Sequence, residues 1–311
     1  MAASPVPDRH VHTEWSWDAT CGDMLATCAR AVELGLPAVA FTEHADFTVW
    51  QRDRTSSLSA PAVPGDGSAK DLPREGSQPA GGAWPARVPS NPARSGDLDI
   101  AGYWDSIDRC RAAYPNLRIE SGVELGEPNL FPEQAAAVLG HRELDRILGS
   151  MHCIAVDGGL VDMSSPGLLL PTNAATRIRS FLTATLKLVE SPAPFAILAH
   201  LDYAKRYWPH DRLAFDEGAF EEEYRAVLRA LARSGRVLEV NSSRAMEAPR
   251  GLCPGLLPLR WWRQAGGEAI TFGSDAHSPT HLAAGFAVAV EVAEAAGFRR
   301  GSDPLDLWRR A

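Results

Sequence analysis

Residues 268–277 read EAITFGSDAH, an apolar, β-branched run that ends in two side chains able to bind metal. The apolar part predicts a buried strand, and Asp275 and His277 follow directly at its end. An amphipathic stretch over 279–296 predicts a helix immediately afterwards. The segment is therefore one strand–helix unit with candidate metal ligands at the junction.

The same unit recurs along the chain. Gly35 ends the first predicted helix, and Ser278-Pro279 provides a cap and a first-turn proline for the last. The predicted strands lie at 8–12, 37–42, 117–124, 145–151, 194–200, 236–241 and 268–274. The predicted helices lie at 20–34, 99–114, 132–140, 172–191, 216–234, 256–266 and 279–296. Such an alternation predicts a parallel sheet, and closure into a (β/α)7 barrel related to the TIM barrel removes its edges.

One segment departs from this alternation. Residues 51–98 are rich in Pro, Gly, Ser and Ala, with scattered large apolar residues and no sustained period. Such a stretch buries too little surface to offset its ordering entropy, so we expect a disordered insertion in one domain spanning residues 1–311. The alternative is a lid over the site, with Trp84 as its docking point.

Composition limits the class of protein. The chain has 311 residues, 45% of them hydrophobic, and a formal net charge of -8. An acidic balance argues against nucleic-acid or anionic-membrane binding. Five cysteines without a C-x-x-C pair suit a reducing compartment. With no apolar run near the about 18 residues of a membrane span and no signal peptide, we expect a cytoplasmic protein. The oligomeric state stays open.

Candidate metal ligands mark the ends of the predicted strands. In closed βα barrels the active site is built at the carboxyl ends of the strands. His10 and His12 are two residues apart, so their rings lie on one side of the first strand. A single buried histidine is more often a core residue, but joint placement on one face favours a metal site. The candidates are His10, His12, Asp18, His44, Glu124, His152, His200, Asp275 and His277.

This set of donors indicates the metal and the substrate. Six imidazoles and three carboxylates suit Zn, Mn or Fe, and are too rich in nitrogen for Mg or Ca as the sole native ion. Their number exceeds what one ion uses and fits three divalent ions. The positive charge of three divalent ions would exceed the negative charge of the three carboxylates. The site would therefore attract a phosphomonoester, which is an anion. The sequence therefore predicts metal-dependent hydrolysis of a phosphate ester.

The motifs resemble those of the polymerase and histidinol phosphatase (PHP) superfamily, in particular its stand-alone histidinol-phosphatase branch. In order along the chain they are Asp8-Arg9-His10-Val11-His12-Thr13 with Ser16 and Asp18, Phe41-Thr42-Glu43-His44, Gly122-Val123-Glu124, Gly149-Ser150-Met151-His152, Ala199-His200-Leu201-Asp202, Leu238-Glu239-Val240-Asn241 and Gly273-Ser274-Asp275-Ala276-His277. The resemblance covers nearly the whole chain except 51–98.

The resemblance implies a distorted (β/α)7 barrel with a trinuclear metal centre. It implies that Glu124 bridges two of the ions. By position, the first ion would be held by His10, His12, Glu124 and Asp275, the second by Glu124, His152 and His200, and the third by Asp18, His44 and His277.

The implied reaction is hydrolysis of L-histidinol phosphate by a metal-activated hydroxide. For the substrate phosphate we expect Arg206, Arg244 and Asn241, with Lys205 beside Arg206 as a further cation. The positively charged amino and imidazole groups of the substrate would face an acidic residue, for which Glu127 and Asp202 are candidates.

Other functions fit the same motifs. One is a phosphoesterase for another small phosphomonoester or a nucleotide, and another is a 3′–5′ exonuclease, which lacks support because no basic stripe accompanies the domain. A catalytically inactive metal-binding domain is a third, although the ligand series is complete. An amidohydrolase-type barrel also opens with His-x-His, but its bridging lysine is not found, since Glu124 and His152 occupy the strand ends.

Overall fold

The computed structural model describes residues 6–48, 98–247 and 249–311. The expected insertion at 51–98 lies outside the described residues, apart from Leu98. The strands are β1 (Asp8–Val11), β2 (Ala38–Asp46), β3 (Arg118–Gly126), β4 (Arg146–Ser150), β5 (Cys153–Val156), β6 (Gly159–Asp162), β7 (Ile197–Leu198), β8 (Val237–Asn241), β9 (Ala269–Gly273), β10 (Phe298–Arg299) and β11 (Trp308–Arg310). The α-helices are α1 (Met24–Glu33), α2 (Ile100–Ala113), α3 (Pro132–Leu139), α4 (Ala174–Glu190), α5 (Glu221–Ser234), α6 (Leu256–Gln264) and α7 (Phe286–Ala295).

Seven parallel strands within the described ranges follow one another in the order β1-β2-β3-β4-β7-β8-β9. The first and last of them meet at their carboxyl ends. There the Asp275 amide donates to the His10 carbonyl at 2.7 Å, and the His12 amide donates to the Ala276 carbonyl at 2.8 Å. These bonds bring both ends of the ligand series together and confirm the predicted (β/α)7 architecture.

The barrel is distorted at the opposite end. There β9 pairs with β11 in an antiparallel sense, through Ile270 with Trp308 and Ala269 with Arg309. β10 then pairs with β11, so the sheet is mixed and has nine strands in the described part of the chain. The two C-terminal strands occupy the edge of β9 that β1 would otherwise take, which explains why the barrel closes through its carboxyl end.

The core lies between the sheet and the surrounding helices. Trp262 of α6, Tyr224 of α5 and Phe181 of α4 are buried in one large cluster, while Tyr103 of α2 and Met24 of α1 are buried in a second. Each such side chain contributes about 1.5–3 kcal/mol by leaving water. Helix packing thus fixes the sheet whose strand ends carry the polar residues.

The last helix begins later than predicted. Ser278 and Pro279 start a short 3₁₀ helix (Pro279–His281), and α7 begins at Phe286. Gly285, with φ of 76°, and Ala283, with φ of 55°, both leave the right-handed helical region. The Ala283 amide donates to the Asp8 carboxylate instead of to a helical carbonyl. The prediction of one helix over 279–296 was therefore wrong in its first turns.

A β-hairpin was missed by the sequence analysis. β5 and β6 form an antiparallel pair immediately after the fourth barrel strand. Their turn contains Asp157 and Gly158 with φ of 49° and 81°, the left-handed pair that a two-residue hairpin requires. The Asp-Gly signal was present in the sequence. The hairpin places its last residue, Asp162, beside the carboxyl end of the barrel.

Across the described ranges, we find no helix with the length and hydropathy that a membrane crossing requires.

Candidate metal centre

All nine predicted ligands lie at the carboxyl end of the barrel, around a cavity of about 510 Å³. His10, His12 and Glu124 form its floor and are fully buried. The predicted ligands that line the cavity itself are Asp18, His44, His152, His200, Asp275 and His277. Strand ends far apart in sequence therefore converge on one site, as the barrel geometry predicts.

Glu124 lies at the middle of the cluster. Its Oε1 is 2.6 Å from Nε2 of His200 and 3.2 Å from Nε2 of His152. Its Oε2 is 3.1 Å from Nε2 of His10 and 3.3 Å from Nε2 of His12. Burial opposes ionisation, yet the surrounding imidazoles, led by His10, keep the pKa of Glu124 well below its usual range. One carboxylate thus faces two separate groups of nitrogens.

Glu239 fixes the ring of His10. Its Oε1 lies 2.6 Å from Nδ1 of His10, and its Oε2 accepts from the His200 amide at 2.7 Å. Because a carboxylate only accepts, Nδ1 of His10 carries the hydrogen and Nε2 points its lone pair into the cluster. Gly273 makes room for this pair, since a Cβ there would lie 2.2 Å from Glu239 Oε1 and 2.4 Å from His10 Cβ.

Ser16 fixes the ring of His12 in a similar way. The Ser16 hydroxyl donates to Glu43 at 2.6 Å, accepts from the His44 amide at 3.0 Å, and lies 3.0 Å from Nδ1 of His12. Since its hydrogen is used on Glu43, Nδ1 of His12 must be the donor. Thr13 completes the set by donating to Glu43 through its amide and its hydroxyl. Nε2 of His12 therefore also faces the centre.

Asp18, His44 and His277 form the outer side of the cluster. Asp18 Oδ2 is 3.1 Å from Nε2 of His277 and 3.6 Å from Nε2 of His44. The rings of His12 and His44 are stacked with centroids 4.1 Å apart, and that of His277 lies 4.3 Å from His12. Burial opposes ionisation of Asp18, but His44 and then His277 lower its pKa well below the usual range.

Two ligand candidates have unusual backbone angles. Asp275 has φ of 55° and His200 has φ of 20°, both in the left-handed region that disfavours residues other than glycine. Strained residues of this kind persist where the surroundings fix them, and they cluster at functional sites. The backbone here directs both side chains into the cavity.

The donor arrangement fits bound cations. Nε2 of His10 and Nε2 of His12 are 3.0 Å apart, and both lie against the same oxygen of Glu124. Two lone pairs and a carboxylate oxygen repel one another unless a proton or a metal ion lies between them. Three groups of potential ligands emerge from the described residues: His10, His12 and Asp275; His10, Glu124 and His200; and His12, His44 and His277. These groups indicate divalent metal binding.

Arg206, which we expect to bind the substrate phosphate, lies at the rim of the cluster. Its Nη2 donates to Asn241 Oδ1 at 2.8 Å and to Asp275 Oδ2 at 2.9 Å, and its guanidinium lines the cavity. Arg244 also lines the cavity, but it is 44% exposed and pairs with Glu247 at 2.6 Å. Asn241, also expected at the phosphate, is buried beneath Arg206 and is not among the residues that line the cavity; its Nδ2 donates to Asp275 Oδ2 at 3.4 Å.

Three other residues considered from the sequence lie elsewhere. Lys205 is buried and pairs with Asp202 at 3.1 Å and Glu217 at 3.3 Å, on the far side of its segment. Glu127 accepts from the His152 amide at 2.6 Å, so its carboxylate supports the backbone of the site. The structure therefore does not place Lys205, Asp202 or Glu127 among the residues that line the cavity.

Several residues of the site escaped the sequence analysis. Asp46 lies 3.5 Å from both Nδ1 of His44 and Nδ1 of His152, and it accepts from Nε1 of Trp17 at 2.9 Å. Its position two residues after His44 on one strand was the available signal. The other cavity residues to which the sequence analysis gave no role are Trp17, Asp162, Ser164, Tyr203, Tyr207, Ser243, Glu247, Ser274, His281 and Ala284.

Comparison with known proteins agrees with this fold. A parallel barrel with clustered imidazoles and carboxylates at its carboxyl end defines a metal-binding barrel protein. The family model of the PHP domain matches residues 8–243. Because this match covers most of the chain and includes strands β1 to β8, the chain belongs to the PHP domain family.

Curated relatives carry a specific name. The histidinol-phosphatase of Lactococcus lactis subsp. lactis (strain IL1403) is 26% identical over 187 residues, which is 60% of this chain and 68% of that protein. A protein of Clostridium acetobutylicum described as a probable histidinol-phosphatase is 24% identical over 198 residues, or 63% of this chain and 74% of that protein.

A solved structure shares the fold over almost the whole chain. It is the histidinol phosphate phosphatase of Lactococcus lactis in complex with Zn, L-histidinol and phosphate. The TM-score is 0.71 at 20% sequence identity, with 97% of this chain and 98% of that chain covered. At this identity the likeness establishes the fold, and it agrees with the distorted barrel seen here.

Proposed function

We propose that this protein is a metal-dependent phosphomonoesterase that hydrolyses L-histidinol phosphate to L-histidinol and phosphate. The observation that carries the proposal is the cluster around Glu124, where buried imidazoles and carboxylates open onto a cavity bordered by Arg206. The names of the curated relatives and the ligands of the Lactococcus lactis structure support the substrate.

We further propose that the cluster holds three divalent ions, of Zn, Mn or Fe. Glu124, whose two oxygens face different imidazoles, would be the carboxylate shared by two of them. When bound, such ions activate water as a nucleophile and stabilise negative charge on phosphoryl oxygens. The donors would be His10, His12, Asp18, His44, Glu124, His152, His200, Asp275 and His277.

The residues of this chain supply positioning and charge. Glu239 and Ser16 keep the donor nitrogens of His10 and His12 turned into the centre. Arg206 brings a fixed guanidinium to the cavity wall, where it would bind the substrate phosphate and stabilise charge that develops during transfer. Arg244 at the exposed rim would meet the substrate on entry. Phosphoryl transfer depends chiefly on this kind of positioning and electrostatics.

We treat the whole chain, residues 1–311, as one PHP domain that carries the 51–98 insertion. The support is that α7, β10 and β11 pack on the same sheet as the ligand-bearing strands, beyond the end of the family match.

The test is phosphate release from Mn- or Zn-loaded protein, with L-histidinol phosphate compared against nucleotides and sugar phosphates. A kcat/KM of at least about 10⁴ M⁻¹s⁻¹ for histidinol phosphate is expected of a cognate enzyme. His12→Ala and His277→Ala should abolish release, while His141→Ala, at an exposed histidine outside the site, should not. Activity confined to other esters would overturn the substrate, and no release from any ester would favour an inactive metal-binding domain.

A further inference from the structure

One wall of the cavity is formed by Asp162 together with Ser164, Tyr203 and Tyr207, and we refer to it as the Asp162 wall. Asp162 is the last residue of β6, and its strand partner Cys153 directly follows His152. Asp162 is buried, with a relative solvent exposure of 5%. The hairpin thus places a nearly buried carboxylate next to the metal-ligand cluster.

The carboxylate of Asp162 is only half satisfied. Its Oδ1 accepts from the Ser164 amide at 2.6 Å and from the Tyr203 hydroxyl at 3.5 Å. Its Oδ2 is buried with no hydrogen-bond partner among the described residues. Burial raises the pKa of Asp162, and His152 and the Ser164 hydrogen bonds oppose that rise. A buried acceptor that lacks a donor is costly unless a ligand supplies one.

Asp162 differs from the other acids of the cavity. Asp18 and Asp46 face the imidazoles of the cluster, Asp275 faces Arg206, and Glu247 pairs with Arg244. Among the described residues, no basic side chain forms an ion pair with Asp162. Among the described acids that line the cavity, Asp162 is therefore the one that can still pair with a positively charged group of a ligand.

Aromatic rings connect Asp162 to the metal-ligand candidates. The Tyr203 ring lies 5.0 Å from that of His152 and 5.2 Å from that of His200, while its hydroxyl reaches Asp162. The Tyr207 hydroxyl donates to the Tyr203 hydroxyl at 3.0 Å. The Arg206 guanidinium lies over the Tyr203 ring, 5.1 Å from its centroid, so this aromatic wall already borders one flat cation. Aromatic surface beside a carboxylate favours a flat or cationic group. A ligand that reaches from the cluster to this wall would place its far end on Asp162.

We propose that Asp162 is a specificity residue that binds the positively charged alcohol half of the substrate, with Tyr203 and Tyr207 as the surface against which this half packs. The inference rests on the proposed function, because the phosphate must occupy the cluster side for the alcohol to reach the wall. L-histidinol carries an amino group and an imidazole, and either can donate to Oδ2 of Asp162. The preferred substrates are accordingly phosphomonoesters of cationic, ring-bearing alcohols.

Binding measurements test this inference separately from turnover. Metal-loaded wild-type protein and Asp162→Asn are titrated calorimetrically with L-histidinol and, in separate runs, with inorganic phosphate. Because the substitution removes the charge and keeps the shape, histidinol binding should weaken by about 10- to 100-fold, the range of a hydrogen bond to a charged group. Phosphate binding should be unchanged. Asp157→Asn, in the exposed turn of the same hairpin, is the matched control and should bind both ligands as wild type does.

Turnover gives the second readout. For Asp162→Asn, kcat/KM should fall by about 10- to 100-fold with L-histidinol phosphate, mainly through KM, and stay within about 3-fold with p-nitrophenyl phosphate, whose alcohol half carries no positive charge. Wild-type histidinol affinity in Asp162→Asn, or an equal loss of phosphate affinity, would overturn the inference. If the wild type binds histidinol through Asp162 but releases no phosphate from its ester, the proposed function fails and the binding site stands.

Discussion

Glu239 Oε1 lies 2.6 Å from Nδ1 of His10, in a part of the barrel that is sealed from solvent. This contact orients an imidazole whose other nitrogen faces Glu124 and His12. Carboxylates that hold metal-bound histidines in this way fix the ring and raise its basicity, and their loss weakens metal binding. The relationship predicts that residues which do not touch the metal control its affinity.

The first prediction concerns Glu239→Gln. An amide can turn its NH2 group toward His10, so the ring loses its fixed donor role at Nδ1. We expect the affinity for the metal at the His10 site to fall by roughly 10- to 100-fold, measured by competition with a metal indicator. Glu268→Gln, at a mostly exposed glutamate, is the control and should bind metal as wild type does. Unchanged metal affinity in Glu239→Gln would contradict a role of Glu239 in metal binding through His10.

The second prediction concerns Gly273. A Cβ at this position would lie 2.2 Å from Glu239 Oε1 and 2.4 Å from His10 Cβ, so Gly273→Ala must displace the pair. We expect the free energy of unfolding to fall by about 1–3 kcal/mol, the usual cost of overpacking, together with a loss of metal affinity. Gly159→Ala, where the nearest atom is 3.8 Å away, is the matched control. Urea denaturation should give a lower free energy of unfolding for Gly273→Ala than for Gly159→Ala. Equal values would contradict the close approach of Glu239 and His10 to Gly273.

The third prediction compares two arginines. Arg206 is buried and donates to both Asn241 and Asp275, whereas Arg244 is half-exposed and pairs with Glu247. A preorganised, desolvated donor contributes far more to a transition state than a solvated one, so Arg206→Ala should lower kcat/KM by about 100- to 1000-fold. Arg244→Ala should lower it by less than about 10-fold. Steady-state kinetics at equal metal loading measures both losses. A larger loss in Arg244→Ala than in Arg206→Ala would show that Arg244, not Arg206, is the main cation for the phosphate.

The fourth prediction concerns metal removal. The imidazoles and carboxylates of the cluster crowd one another in the absence of cations, so binding should stabilise the folded state. At a free metal concentration of 1000 times Kd, the gain is about 4 kcal/mol for one site. A chelator should therefore lower the Tm, and Zn or Mn should restore it, whereas Mg should not because the donors are mostly nitrogen. If the chelator leaves the Tm unchanged, the result would contradict metal binding in the folded chain.

Much of this architecture is predictable from the sequence because it depends on local patterns. Apolar runs, six of which end in histidines or carboxylates and one in Asn241, place all seven barrel strands within a few residues of where they lie. The ligand series follows, since parallel strands of a barrel bring their carboxyl ends to one face. The Asp-Gly turn of the β5–β6 hairpin was a local signal as well, and it was overlooked.

The residues that support the ligands were not predictable in the same way. Glu239 and His10 are 229 positions apart, and their contact depends on strand register, on rotamers and on Gly273. Lys205 and Arg206 are adjacent and alike in sequence, yet one is turned into a buried ion pair and the other into the cavity. Such differences arise from tertiary packing, which single-sequence patterns do not encode.

The most direct test of the account is a titration of metal-free chain with Zn or Mn, following bound metal and phosphate release from L-histidinol phosphate together. We predict that release is absent without metal, rises with loading and reaches its maximum at three ions per chain. Full activity in the metal-free chain, or no release at saturating metal, would contradict a metal-dependent histidinol-phosphate phosphatase.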